Sequence, residues 1–291
     1  RIAFEQRGVS FSFGWLQAIV VEESPVFVPG SRLDLARTTV ILGNNASGKT
    51  ALCELLAGCS EISFLKRWSP LGKRGARTQV RFEAVSPLPF NWTVRVYQQS
   101  NIQFAVNGLP VPRLIVPYTF VHAPERPFRR KADDETISAY IARWLRVDVA
   151  LVHNVVRSLA ARGGHHVHNP RFVEAEGREE LRLDVDGTVA GLDFQSLSDT
   201  EQCRVIIEMA LELARFEAQQ GPTVLLVDCT GRFDRSHFQD YVEFIASSSA
   251  DFQSVVTAPY ADALPMQLRI DGLHVARLRG SVTNVEICQT A

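Results

Sequence analysis

Hydrophobic and polar residues alternate in two different rhythms along this chain. In the first third the rhythm is short. Residues 9–13, 16–21 and 26–28 read as brief strands, the last closed by Pro29-Gly30. Thr39-Val40-Ile41-Leu42 is instead a continuous apolar run ending in glycine, the mark of a strand buried on both faces. Residues 50–57 then set Leu52, Leu55 and Leu56 on one helical face, with Gly58 as the stop. Alternation returns over 79–84 and 92–97, and Asn107-Gly108 predicts a tight hairpin turn before a strand over 111–121.

Beyond residue 133 the helical period takes over. Ile137, Tyr140, Ile141, Trp144 and Leu145 share a face of one helix predicted over 133–161, which Gly163-Gly164 ends. The stretch 165–191 is polar and turn-rich, with one strand expected at 181–185. A long amphipathic helix over 199–219 aligns Cys203, Ile206, Ile207, Ala210, Leu213 and Ala214, and Gly221-Pro222 breaks it. The apolar run 223–227 ends in Asp228; a helix over 236–247, a short strand over 254–257 and a closing pair of strands over 268–287 follow. Helices alternating with continuous apolar strands predict an α/β fold with a mostly parallel core sheet, an antiparallel β-subdomain in front and a helical lobe. The expected organisation is one domain in three parts: 1–132, a helical insertion at 133–164, and 165–291.

Composition adds exclusions. With 31 Lys+Arg against 32 Asp+Glu among 291 residues, the formal net charge is -1, so bulk charge does not grip nucleic acid, although a local basic stripe remains open. No run of uninterrupted apolar residues is long enough to span a membrane. The opening segment has no positive region followed by an apolar block, so no secretory signal is expected, and Arg1 in place of Met points to a start further upstream. Five scattered cysteines without CxxC spacing suit a reduced, cytoplasmic protein better than a disulfide framework or zinc site. No Ser/His/Asp or Cys/His nucleophile arrangement stands out.

The residues Gly43-Asn44-Asn45-Ala46-Ser47-Gly48-Lys49-Thr50 match the pattern GxxxxGK[ST]. Each position has a physical task. The glycines let the loop curl so that backbone N–H groups point at phosphate oxygens. The helix that opens at Lys49 aims its positive end at the same anion. Lys49 supplies a full charge to the β- and γ-phosphates, and the Thr50 hydroxyl is a ligand for Mg²⁺. Such a loop needs an acid to hold the metal at the end of a second buried strand, and Asp228 ends the one long apolar run that closes in a carboxylate.

The form Asn45-Ala46-Ser47-Gly48-Lys49-Thr50 resembles the phosphate loop of ABC-type ATPases of the SMC and RecF-like group. In that group a signature (LSGGQ or LSxGE) opens a long helix before the metal-holding acid, and Leu197-Ser198-Asp199-Thr200-Glu201-Gln202 occupies that place. Read from the residues alone, Ser198 and Glu201 form a helix capping box. The interval between Lys49 and Ser198 accommodates a helical lobe but no long coiled-coil arms. The resemblance implies ATP and Mg²⁺ held by residues 43–50 and Asp228, and a head-to-head homodimer in which Ser198 of one copy faces the γ-phosphate of the other. It also implies a role in DNA repair or anti-phage defence, gating a partner effector protein.

Several positions depart from the group's pattern. Cys229 stands where the group has its catalytic Glu, and a thiol is a poor general base without special activation. Val255-Val256-Thr257-Ala258-Pro259 lacks the group's switch histidine, Asp199 and Thr200 replace signature glycines, and residues 228–234 are one shorter than expected. The expected outcome is ATP binding with slow hydrolysis, with Lys49, Asp228 and Asp234 the candidate catalytic groups, or else a non-hydrolysing scaffold that restrains its effector.

Two basic clusters, Lys66, Arg67, Lys73, Arg74 and Arg77, then Arg126, Arg129, Arg130 and Lys131, offer contacts for DNA phosphates or an acidic protein, although with net charge near zero a solvated face is the commoner explanation for such clusters. His165, His166 and His168 supply metal-ligand types, but no cysteine or paired acid lies nearby at a recognisable spacing, so the segment reads as a polar loop.

Overall fold

A computed structural model describes residues 14–67, 78–85, 89–96, 102–112, 118–124, 136–186, 190–228, 230, 233–248, 251–259, 272–280 and 284–289. Six strands form an antiparallel sheet in the order β2-β1-β4-β5-β6-β7: β1 (Leu16–Glu23), β2 (Ser31–Asp34), β4 (Thr78–Val85), β5 (Pro89–Val96), β6 (Ile102–Val106) and β7 (Leu109–Val111). Asn107 and Gly108 both take positive φ, 47° and 80°, and turn β6 into β7 as expected of this pair.

The second six-stranded sheet has the order β15-β14-β3-β13-β12-β8. Its members are β3 (Thr38–Leu42), β8 (Thr119–Ala123), β12 (Thr223–Val227), β13 (Gln253–Ala258), β14 (Leu273–Arg279) and β15 (Glu286–Gln289). Every pairing is parallel except β14 with β15. Both faces are buried, which is why these strands read as continuous apolar runs. Successive residues feed different cores. Val40, Leu42, Leu225, Val227, Val256 and Ala258 pack against the helical layer. Ile41, Val224, Leu226 and Val255 pack against helix α1 (Lys49–Ala57) and the antiparallel sheet. Helix α1 therefore lies between two sheets, with all its residues from Ala51 to Ala57 buried, and α2 (Ile62–Arg67) follows it.

The helical layer comprises α3 (Ile137–Leu145), α4 (Val149–Arg162), α5 (Asp199–Ala218) and α6 (Arg235–Ser248). The single helix expected over 133–161 is two helices, because Arg146 adopts a left-handed conformation at φ 57° and Asp148 begins the next element. A larger correction concerns 165–191. Strand β9 (Val167–Ala175) pairs antiparallel with β10 (Arg178–Val185), and β11 (Leu192–Asp193) completes a three-stranded sheet. Pro170 hides β9 from pattern reading, and the register shows why the strand tolerates it: Asn169, at positive φ, and Pro170 form a bulge in β9 that stands against the single Leu183 of β10. Residue Phe27 forms only an isolated bridge with Val285 rather than a strand. Of the strand expected over 111–121, Val111 ends β7 and residues 119–121 open β8, while 113–117, like the strand expected at 9–13, lie outside the described residues. Among the described residues no helix is long and apolar enough to cross a membrane.

One side chain ties the two large sheets together. Gln253, buried at the start of β13, accepts from the Leu16 N–H (2.7 Å) and donates to the Leu16 carbonyl (2.8 Å) and the Ala36 carbonyl (3.2 Å). The amide thus imitates a neighbouring backbone across a sequence interval of 237 residues. Truncation to Gln253→Ala strands a buried peptide N–H and C=O together, so we expect a loss of roughly 2–4 kcal/mol in urea unfolding. Gln253→Glu, which keeps the acceptor and loses the donor, should recover only part of it.

Candidate nucleotide-binding site

Parallel pairing brings the candidate residues to one edge of the core sheet. Leu42 pairs with Ala258 and Val227 with Val256, so β3, β13 and β12 end nearly level. The loop 43–48 leaves β3 there, with Gly43 N–H donating to the Ala258 carbonyl at 3.2 Å. Asp228 leaves β12 two strand spacings away, about 10 Å. The Asp228 N–H is held by the Ala123 carbonyl (2.8 Å), and its Oδ1 accepts from Thr257 Oγ1 (2.7 Å). Thr257 is fixed in turn, because Thr230 Oγ1 donates to its carbonyl. Sequence reasoning noted the missing histidine in this segment and overlooked Thr257. Its signal was a hydroxyl beside the acid-bearing strand.

The loop itself has the curvature an anion cradle requires. Ala46 and Gly48 take positive φ, 64° and 92°. A Cβ on Gly43 would collide with Ser47 Oγ and press on Leu278, so this position demands glycine for space. Helix α1 begins at Lys49 with Gly48 as its cap and no side chain over its free N–H groups. Lys49 Nζ donates to the carbonyls of Gly43 (2.8 Å) and Asn44 (2.9 Å), folded across the mouth of the loop. Ser47 is buried, and its Oγ has no hydrogen-bond partner among the described residues. An inward hydroxyl without a partner, bare helix N–H groups and a lysine resting on carbonyls together fit a phosphate chain. Thr50 sits in the first turn of α1, and the buried Asp228 lies across the same edge, a donor set of hard oxygens suited to Mg²⁺. Below the loop, burial and then the charges of Asp228 and Glu54 push the Cys53 thiol well up, with Lys49 opposing, so this cysteine is an inert packing group.

Ser198 caps α5 at its exposed N-terminus. Its Oγ accepts from the Glu201 N–H (3.3 Å) while Glu201 Oε2 accepts from the Ser198 N–H (2.7 Å), completing the capping box. Asp234 occupies the corresponding place before α6. Its Oδ1 accepts from the His237 N–H (2.9 Å) and Ser236 Oγ (2.8 Å), and its Oδ2 lies 2.7 Å from His237 Nδ1. These bonds, the His237 N–H first, hold its carboxyl down at about 2. Cys229, Lys73, Arg74, Arg77, Arg126, Arg129, Arg130 and Lys131 lie outside the described residues, as do the side chains of Lys66 and Arg67, whose backbone ends α2.

A buried histidine that pattern reading passed over sits nearby on β8. His122 faces a cavity of about 180 Å³ with Phe64, Leu145, Arg146 and Leu213 in its lining, and neither ring nitrogen has a partner among the described residues. Burial, aided by the Arg146 charge, lowers its pKa from 6.5 to about 4. The folded protein therefore keeps His122 neutral in a window where the unfolded chain takes up a proton. Stability is full above pH 6.5 and falls as the pH drops toward 4, by up to on the order of 3 kcal/mol. Urea midpoints between pH 7 and 4.5 should show this fall, and His122→Phe should flatten it. Ser47→Ala, which removes an unpartnered hydroxyl, should leave the midpoint unchanged within about 0.5 kcal/mol, marking Ser47 as a residue the fold itself does not need.

No protein-family model and no curated protein matches the sequence. Solved structures do match the fold. An SMC head bound to the C-terminal winged-helix domain of ScpA superposes with TM-score 0.61 at 12% identity, covering 95% of this chain and 98% of its own. An SMC head with an extended coiled coil bound to the C-terminal domain of ScpA, from Pyrococcus furiosus, gives 0.59 at 12% identity over 95% and 96%. The recombination mediator RecF with ATP gives 0.56 at 14% identity over 97% and 99%. The chain thus has the fold of an ABC-type ATPase head of the SMC and RecF group, and among its described residues no helix exceeds the 20 residues of α5, too short for a coiled-coil arm.

Proposed function

We propose that the protein is an ATP-binding head that closes as a head-to-head homodimer around ATP and Mg²⁺ and turns over slowly. The observation that carries this reading is the loop 43–50: a tight curl with an inward, unpartnered Ser47 hydroxyl and Lys49 across its mouth, level with the buried Asp228–Thr257 pair. Gly43, Asn44, Asn45, Ala46 and Gly48 supply the backbone of the cradle, Lys49 the charge on the β- and γ-phosphates, and Thr50 and Asp228 the metal ligands. Ser198, at an exposed helix N-terminus, is the group offered to the γ-phosphate of a second copy.

Hydrolysis needs a base near the attacking water. The residue after Asp228 is Cys229, and Asp234, ionised throughout the physiological range, has its oxygens committed to capping α6. That poverty of bases supports slow turnover, and equally a clamp that restrains an effector protein. The DNA-linked role rests on the two basic clusters together with the RecF and SMC likeness, and it predicts binding that weakens steeply with salt.

Three variants test the reading. Lys49→Ala should reduce ATP affinity by about 10- to 100-fold, the worth of one charge-assisted contact to phosphate, in a titration with labelled nucleotide. Light scattering should show ATP shifting the protein from monomer to dimer, with Ser198→Arg blocking the shift but not ATP binding. ATP binding by a monomer that Ser198→Arg leaves unaltered would overturn the dimeric clamp. Cys229→Glu should raise hydrolysis severalfold if only the base is missing, and no rise favours the scaffold reading.

A further inference from the structure

The histidine-rich segment 165–168, read from sequence as a polar loop, is a fixed turn. The N–H groups of His165 and His166 both donate to the buried carboxylate of Glu208 on α5, at 2.9 Å each, and Tyr241 Oη on α6 donates to the same group at 3.2 Å. Gly164 makes the approach feasible, since a Cβ there would collide with Glu208 and with the Val167 carbonyl. The rings are also seated. His165 stacks on Phe244 at 4.4 Å and 12°, and His166 leans on Tyr241 at 5.4 Å.

So placed, the two imidazoles converge. Nε2 of His165 and Nε2 of His166 each lie 2.9 Å from Oδ2 of Asp240 on α6, and all three atoms fall within 4.8 Å of one another. The acid that the sequence did not offer nearby arrives from more than seventy residues away. Behind the cluster, His166 Nδ1 lies 3.1 Å from Asp186 Oδ2, whose other oxygen lies 2.8 Å from His168 Nε2. A histidine whose Nδ1–H is given to a carboxylate presents the lone pair of Nε2 outward, the orientation found in metal-bound histidines. Ligand atoms around a tetrahedral zinc stand about 3.3 Å apart at bonds of about 2.0 Å. An ion would therefore enter by opening the 2.9 Å pairs by a few tenths of an ångström. The imidazole-rich set selects zinc-class ions over Mg²⁺ or Ca²⁺. Asp240 is 44% exposed and His165 29%, so the site has access and a fourth position for water.

We propose that His165, His166 and Asp240 bind a divalent zinc-class ion, with Asp186 orienting His166 and Glu208 holding the turn. The ion would pin the turn after α4 to α6, the helix that follows the Asp228 strand, and so brace the helical layer independently of nucleotide.

The test is equilibrium dialysis of the chelator-treated full chain against Zn²⁺, without nucleotide or Mg²⁺. Expected is saturable uptake of one zinc per chain and a melting temperature that rises with zinc, both kept in Lys49→Ala. The Co²⁺-substituted protein should show the visible absorption of a tetrahedral site. Asp186→Asn should weaken binding by about 10- to 100-fold, and His166→Ala or Asp240→Asn should abolish it, with circular dichroism checking that each variant folds. Absence of stoichiometric uptake, uptake that survives the double variant His165→Ala/His166→Ala, or preference for Mg²⁺ over Zn²⁺ would each overturn the assignment. If a ligand variant fails to fold, Asp186→Asn and the cobalt spectrum decide.

Discussion

The proposed nucleotide site depends on one constraint: three parallel strands must end level. The loop 43–48 and Asp228 belong to strands that never touch, since β13 lies between β3 and β12. Their separation is therefore set by the register of β13 with each neighbour, Leu42 to Ala258 on one side and Val227 to Val256 on the other. A slip by one residue on either side would turn the apolar pattern inside out, sending Val40 and Leu42 toward α1 and Ile41 toward the helical layer. Burial on both faces thus guards the geometry of a site to which the cores contribute no atom. The Thr257–Asp228 hydrogen bond reads that register out directly, because the two groups meet only when β12 and β13 are correctly paired.

Packing around α1 extends the constraint. The helix that begins at the phosphate loop is walled by the core sheet and the antiparallel sheet, with Leu52, Leu55 and Leu56 fully buried. A helix held so closely cannot rock on its own. Charge arriving at its N-terminus is transmitted to rigid walls, which favours coupling between the loop and whole layers over motion confined to the loop.

Much of this was legible in the chain because the responsible signals are local. The core strands announced themselves as apolar runs, Asn107-Gly108 as a turn, Ser198 with Glu201 as a cap, and the loop 43–50 as a motif whose every position has a physical task. What escaped reading was set by distant partners. Strand β9 carries Pro170 and a left-handed Asn169, tolerated because β9 bulges there, setting these two residues against the single Leu183 of β10. The break at Arg146 has neither glycine nor proline to mark it. Thr257 gained its role from Asp228, and the histidines at 165 and 166 gained theirs from Glu208 and Asp240, all contributed by other elements. Local pattern names the elements, and long-range pairing decides which polar groups meet.

The strand order also bears on when the site comes into being. Both neighbours of β3, namely β13 and β14, lie beyond residue 252, whereas the antiparallel sheet is built entirely from strands that end by Val111. A chain emerging from the ribosome can complete that sheet early, yet β3 finds neither of its neighbours in the core sheet until β13 and β14 appear. Gln253, which fastens the early sheet to the late one, arrives at the same moment. Any capacity of the loop 43–48 to hold a phosphate chain therefore waits on β13, and is withheld from every product that stops short of it.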